Sequence, residues 1–327
     1  MTEGDVREAF RQQAEVCAAL GSPFTARLCR LLSERLDRST AVGARVLDWP
    51  GRPFHDADAL PLRLAGGLHA LARAGVMPEV TAAWPPSPRV DDETLWRAVS
   101  AALAEGGHRL DSWLDGPPQT NEVGRSAALM AGLLVVADRF PLPVSLYELG
   151  ASAGLNLNLD RYAFRLGETA AGEPSSRVRL EPTWTGPSPP ASRVRVALRR
   201  AVDRAPLDAT LPAAGERLTA YVWADQRERL TRLEAALGIA ADHPPRVEPG
   251  DAADWLEANL ALDPEPGLTR VVQHTIAFQY FPPEAQARVV ARLNAAGARA
   301  TEDGRSRGCA TRPRAPAAAT SARRPCA

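Results

Sequence analysis

The chain has 327 residues, 45% apolar and 24% charged, and its 39 basic and 39 acidic side chains give a formal net charge of zero. No apolar run reaches the ~18 residues of a membrane span, so no membrane partner is expected. The balanced charge, with no basic block, argues against nucleic acid as a partner.

All 39 basic residues are Arg, which reflects coding composition and not phosphate binding. The N-terminus, MTEGDVREAFRQQAEV, lacks the apolar core of a signal peptide and predicts a cytoplasmic protein. Cys17 and Cys29 fall in predicted helices without CxxC spacing, and Cys309 and Cys326 fall in the tail. They read as free thiols, and no metal site is expected.

Residues 1–140 read as a helical module. Val6, Phe10, Cys17 and Leu20 recur at helical spacing and Gly21 stops them. Ser22 and Pro23 open a second helix as cap and first-turn proline, with Phe24, Leu28, Leu31, Leu32 and Leu36 along one side. Leu60, Leu64, Leu68 and Leu71 form a third stripe, closed by Gly75. Asp91 to Glu93 open a fourth, with Leu95, Trp96, Val99 and Leu103, closed by Gly106 and Gly107. Thr120 or Asn121 caps a fifth that runs to Phe140, and the group Gln119-Thr120-Asn121-Glu122 leads into the next segment as cap or as ligand contact. His55, His69 and His108 are isolated, and His69 reads as a packed histidine.

The central stretch is PVSLYELGASAGLNLNLDRY, residues 143–162. An apolar run ends in Gly150-Ala-Ser152-Ala-Gly154 and passes into a short helical segment, the strand–turn–helix grammar that places ligands at a strand's carboxyl end. Gly150 and Gly154 suit a conformation that a Cβ resists and leave room for close approach. The helix start beyond the turn presents unpaired N–H groups. After Leu155–Asp160, residues 161–184 read as an inserted hairpin.

A second α/β unit follows: strand residues near 194–203, a long helix over 216–237 ended by Gly238, a compact strand at 246–248, a buried strand at 271–278, and a helix from Glu284 to Asn294. Strands alternating with helices predict a mostly parallel sheet with right-handed crossovers. Residues 301–327 hold six Arg, seven Ala and three Pro but no Val, Leu, Ile, Met, Phe, Tyr or Trp, so a disordered tail is expected, with no strand after the last helix. The expected division is therefore a module at 1–140, an α/β domain at 141–300 and a tail at 301–327.

Glu148, two residues before the first glycine, disfavours a bare phosphate and suits a nucleotide that carries positive charge. Here the chain resembles class I methyltransferases, whose first motif is an acidic residue followed by Gly-x-Gly-x-Gly; Ser152 stands where the middle glycine is usual. The resemblance implies a Rossmann-like sheet and S-adenosylmethionine, a small-molecule ligand, as cofactor. It implies Glu148 for the methionine amino end, Gly150, Ser152, Gly154 and Asn156 along the turn, Asp203 for the ribose and Asp251 for adenine. The segment at 271–280 would face the acceptor, with His274 or Tyr280 as catalytic groups; Asn121, Glu122, Trp223 and Gln279 are substrate candidates.

QTNEVGRS (119–126), ELGASAGLNLNLDRY (148–162), YVWADQRERL (221–230) and VVQHTIAFQY (271–280) resemble more closely the blocks of a bacterial family, domain of unknown function 2332, over about residues 5–300. Its members continue past the last helix with further strands, so a frameshift or truncation near residue 301 is expected here. Two other readings stay open. Gly150-Ala-Ser152-Ala-Gly154 also satisfies the Gly-x-Ser-x-Gly elbow of a serine hydrolase, with Asp251 or Asp254 and then His274 in triad order. Against it, His274 falls within an apolar strand and no oxyanion segment precedes the elbow. The third reading is a non-catalytic binding protein on the same fold, with Trp223, Asp225, Gln226 and Arg227 as a recognition surface or a solvated helix face.

Overall fold

Capping chemistry sets the first helices of the computed structural model, which describes residues 2–261 and 266–299 and the backbone of Cys309–Ala310. Helix α1 (Glu3–Ala19) opens with a reciprocal capping box between Thr2 and Asp5. Helix α2 (Pro23–Arg35) has proline in its first turn, but Ser22 does not cap it. The carboxylate of Asp225 does so from far along the chain, accepting the Phe24 N–H at 2.8 Å and the Ser22 hydroxyl. Short α3 (Ala41–Leu47) precedes α4 (Leu60–Ala74), α5 (Pro78–Ala83) and α6 (Asp92–Glu105), which Asp91 caps at the Thr94 N–H, 2.7 Å. Gly106 closes α6 as its C-cap, and a separate helix, α7 (Gly107–Leu114), begins directly after it.

The chain forms two compact units, each discontinuous in sequence. The first holds Met1–Gly124, Ser152–Asn158 and Leu207–Pro245. Its core joins the expected stripes (Phe10, Leu28, Leu32, Leu64, Leu68, Leu95, Val99) to Trp84, Leu110 and Ala224, while Leu20, at the end of α1, is exposed. The expected long helix at 216–237 is two helices, α9 (Pro212–Ala220) and α10 (Arg227–Asp242), labelled in chain order after α8 below. The break at Tyr221–Gln226 has a physical cause: Asp225 turns to the start of α2, and the Gln226 amide donates to the Leu20 carbonyl. Gly238 lies inside α10 and does not stop it.

The second unit holds Arg125–Ala151, Leu159–Pro206 and the chain from Arg246 onward. Helix α8 (Ser126–Arg139) follows a 3₁₀ turn at Val123–Arg125 and has no side-chain cap, so neither Thr120 nor Asn121 opens it. Strand β1 (Val144–Leu149) is buried throughout. The insertion is a small sheet of β2 (Ala163–Leu166), β3 (Thr169–Gly172) and β4 (Arg179–Leu180). β3 returns antiparallel as a hairpin does, but β4 runs parallel to β2.

The main sheet is parallel: β1, β5 (Val196–Asp203), β6 (Glu248–Pro249), β7 (Thr269–Gln273) and the two-residue β8 (Cys309–Ala310), in spatial order β6-β5-β1-β7-β8. The chain thus steps outward from β1 on one side and then crosses to the other, so the strand order reverses at β1. Helices α11 (Ala252–Ala261) and α12 (Pro283–Ala298) pack Trp255, Leu256, Leu260 and Val289 on Tyr147, Leu149, Val202 and Val272 of these strands.

The short helical segment expected after the turn is a 3₁₀ helix, Leu155–Arg161. The strand expected over 271–278 ends at Gln273, and a 3₁₀ turn follows at Ala277–Tyr280. A strand does follow the last helix, since β8 pairs with Val271 and Val272. The rest of the tail, 301–308 and 311–327, lies outside the described residues, as does any disorder there. Among the described residues no helix is long and apolar enough to cross a membrane.

Candidate ligand site

In an open parallel sheet, ligands bind beyond the carboxyl ends of the strands where the strand order reverses. That place is the end of β1, and the side chain there is Glu148. It stands in register with Gln273 on β7 and with Ala201 on β5. Both Glu148 and Gln273 are 1% exposed, and the Gln273 amide nitrogen donates to Glu148 Oε2 at 3.2 Å. Tyr162, also buried, has its phenol pKa pushed well up, first by burial and then by the charges of Glu148 and Asp160. Asp160 itself is paired with Arg199 at 2.6 Å.

Beyond β1 the backbone turns at Gly150, with φ +68°. The space a side chain would occupy is already filled, because a Cβ built there lies 2.3 Å from the Ala277 Cβ. Glycine is therefore required at 150 by handedness and packing, and the expected room for a ligand at that Cβ is taken by Ala277. Asp203 ends β5 half-buried and accepts the Ala205 N–H at 3.0 Å. Asp251 accepts the Ala253 and Asp254 N–H groups at the start of α11 and pairs with Arg204 at 3.2 Å. Burial works to raise its pKa, but these hydrogen bonds outweigh it and leave the carboxyl below its usual range.

On the β7 side, His274 is the first residue past the strand, not within it, and stacks on Phe278 with centroids 5.0 Å apart. Ile276 has φ +63°, a strained conformation for a β-branched residue. Gln279 is exposed, and Tyr280 is 60% exposed on the 3₁₀ turn. Glu148, Gly150, Asp203, Asp251, His274, Gln279 and Tyr280 therefore all lie at the carboxyl ends of neighbouring strands or in the segments that follow them within the second unit.

The other candidates belong to the first unit. Ser152 has φ +54°, and its hydroxyl donates to the Gln119 side-chain oxygen at 3.0 Å. Gly154 has φ +72°, and Asn156 is buried. The Leu155 N–H, expected to be open to a ligand, is taken by the Asn121 side-chain oxygen at 2.9 Å. Glu122 pairs with Arg229 and, at 3.5 Å, with Arg232, while Arg229 lies 5.9 Å from the Trp223 ring centroid. These contacts, with those of Asp225 and Gln226, give the YVWADQRERL block an architectural role in the first unit. His69 is packed, its Nδ1 3.1 Å from the Ala220 carbonyl.

Among the described residues no group of His, Cys, Asp and Glu is arranged to hold a metal. Sequence reading passed over Gln273 and Tyr162; the signal for Gln273 is a single polar residue closing an apolar strand beside the Glu148 strand.

No curated protein and no solved structure matches the chain. The family described as "Uncharacterized protein conserved in bacteria" (DUF2332) matches residues 7–311. With a match over nearly its whole length, the chain belongs to that bacterial family.

Proposed function

We propose that the second unit binds S-adenosylmethionine, as a methyltransferase-like cytoplasmic protein with a Rossmann-like sheet. The observation that carries this reading is Glu148, a buried carboxyl at the carboxyl end of the strand where the sheet order reverses. Counted within the sheet, the strands lie third, second, first, fourth, fifth, which is the doubly wound nucleotide-binding order. A carboxyl in that position selects a ligand with a positive group, and the ammonium and sulfonium of S-adenosylmethionine both qualify. Glu148 takes the ammonium, Asp203 the ribose hydroxyls and Asp251 the adenine edge, exchanging its exposed Arg204 contact. Strain at Ile276, on the loop after β7, supports a working role for that loop, since such strain gathers at functional sites.

Catalysis in this reading is mainly positioning of a methyl group in line with its acceptor. His274 orients the acceptor or takes its proton, with Tyr280 as the alternative. The test is a thermal melt with and without S-adenosylhomocysteine. A ligand that binds only the native state raises the midpoint in proportion to ln(1 + [L]/Kd); an unchanged midpoint at millimolar ligand counts against the reading.

One observation favours the hydrolase alternative. Ser152 has a positive φ, as the nucleophile of a strained strand-to-helix elbow does. Its hydroxyl meets the Gln119 amide, which is no base. Ser152→Ala separates the readings: a hydrolase loses turnover of a p-nitrophenyl ester, whereas the cofactor-binding protein keeps its affinity for S-adenosylhomocysteine.

A further inference from the structure

Gln273 sits at the end of β7, directly beside Glu148 in the parallel register. Both side chains are almost wholly buried. Because a carboxylate only accepts hydrogen bonds, the amide nitrogen of Gln273 must be the atom that faces Glu148 Oε2, at 3.2 Å. That fixes the other end of the amide. Its carbonyl oxygen, Oε1, is buried and has no hydrogen-bond partner among the described residues.

A buried amide oxygen left unsatisfied is costly, and native proteins rarely keep one without a water, an ion or a ligand group to fill it. The amide that carries this oxygen is bonded to Glu148, at the switch point of the sheet.

We propose that Gln273 is a ligand-binding residue: its Oε1 and the carboxyl of Glu148 form a two-acceptor site for a primary ammonium group. An ammonium has three N–H donors, so it satisfies both acceptors and keeps one for a third. A ribose hydroxyl has one donor and a phosphate at neutral pH offers acceptors, so neither meets this pair as well. The inference deepens the proposed function, on which it rests for the identity of the ammonium, the amino-acid end of S-adenosylmethionine.

The experiment is calorimetry on the full-length wild type and on Gln273→Met, which keeps side-chain length and apolar volume but removes the amide. Two ligands are compared: S-adenosylhomocysteine, which carries the ammonium, and methylthioadenosine, which shares its nucleoside but lacks it. The expected result is a loss of about tenfold or more for the first, the share of one hydrogen bond to a charged group, with the second unchanged. Equal losses for both ligands, or none for either, overturn the inference and leave Oε1 as a water-bonded acceptor. A thermal melt of Gln273→Met confirms that the variant folds. If the variant does not fold, Gln273→Asn is used, which keeps the amide but draws it back by one methylene and should weaken S-adenosylhomocysteine alone; an equal change for both ligands, or none for either, overturns the inference.

If the wild type binds neither nucleoside, the proposed function fails, and the site is then read with L-methioninamide, a primary ammonium without a nucleoside. Binding to the wild type that weakens in the variant sustains the two-acceptor site without that function; binding that is equal, or absent from both, overturns it as well.

Discussion

His69 gives a pH dependence whose sign and size follow from its place in the first unit. The imidazole is 5% exposed on α4, with Nδ1 3.1 Å from the Ala220 carbonyl. Burial lowers its pKa from 6.5 to about 4. The unfolded chain therefore takes up a proton before the folded chain does, and stability falls as the pH drops below 6.5 until about 4. That gap is worth about 3 kcal/mol in full, and about 2 kcal/mol between pH 7.5 and pH 5. The assay is urea unfolding at about pH 7.5 and about pH 5 for wild type and His69→Gln, whose amide can still donate to the Ala220 carbonyl. Titration of the carboxylates is common to both proteins and cancels in the comparison. The wild type should lose about 2 kcal/mol more than the variant over this interval. An identical pH dependence in the two would refute the reasoning.

Gly150→Ala should destabilise the protein by about 2–4 kcal/mol, the sum of a left-handed backbone and overpacking against Ala277. Adding Ala277→Gly should recover the packing part and leave about 1 kcal/mol of backbone cost, read as two midpoints in urea. Asp225→Ala removes the acceptor for the Phe24 N–H and the Ser22 hydroxyl, and should cost about 1–2 kcal/mol, with faster amide exchange in the first turn of α2 as the local readout. A variant whose loss is spread evenly over the first unit would contradict that capping role.

Much of the helical part was legible because its signals are local. The stripes on α1, α2, α4 and α6 repeat at helical spacing, and Leu28, Leu32, Leu64, Leu68 and Val99 are all core residues. Non-local contacts were not legible. Nothing near Ser22 announces that Asp225, some two hundred residues later, accepts its hydroxyl hydrogen bond and caps α2, and that contact is what splits the expected 216–237 helix into α9 and α10. Strand β1 was clear from its apolar run and glycine turn. The end of β7 was not, because His274-Thr-Ile-Ala-Phe continues the apolar text while the backbone leaves the sheet at Gln273 and strains at Ile276. β8, two residues without a bulky apolar side chain, carries no strand signal at all.

At the candidate site, Glu148 and the positive-φ glycines could be read directly. Gln273 could not, since its meaning lies in the register that sets it beside Glu148.

The most direct measurement is calorimetric titration of S-adenosylhomocysteine into the wild type and into Glu148→Gln. The substitution keeps the shape of the side chain and removes its charge. Saturable binding to the wild type is expected, with an affinity about ten- to a hundredfold weaker in the variant, the share of a hydrogen bond to a charged group. Equal affinity in the two proteins, or none in a wild type that unfolds cooperatively, would contradict that expectation.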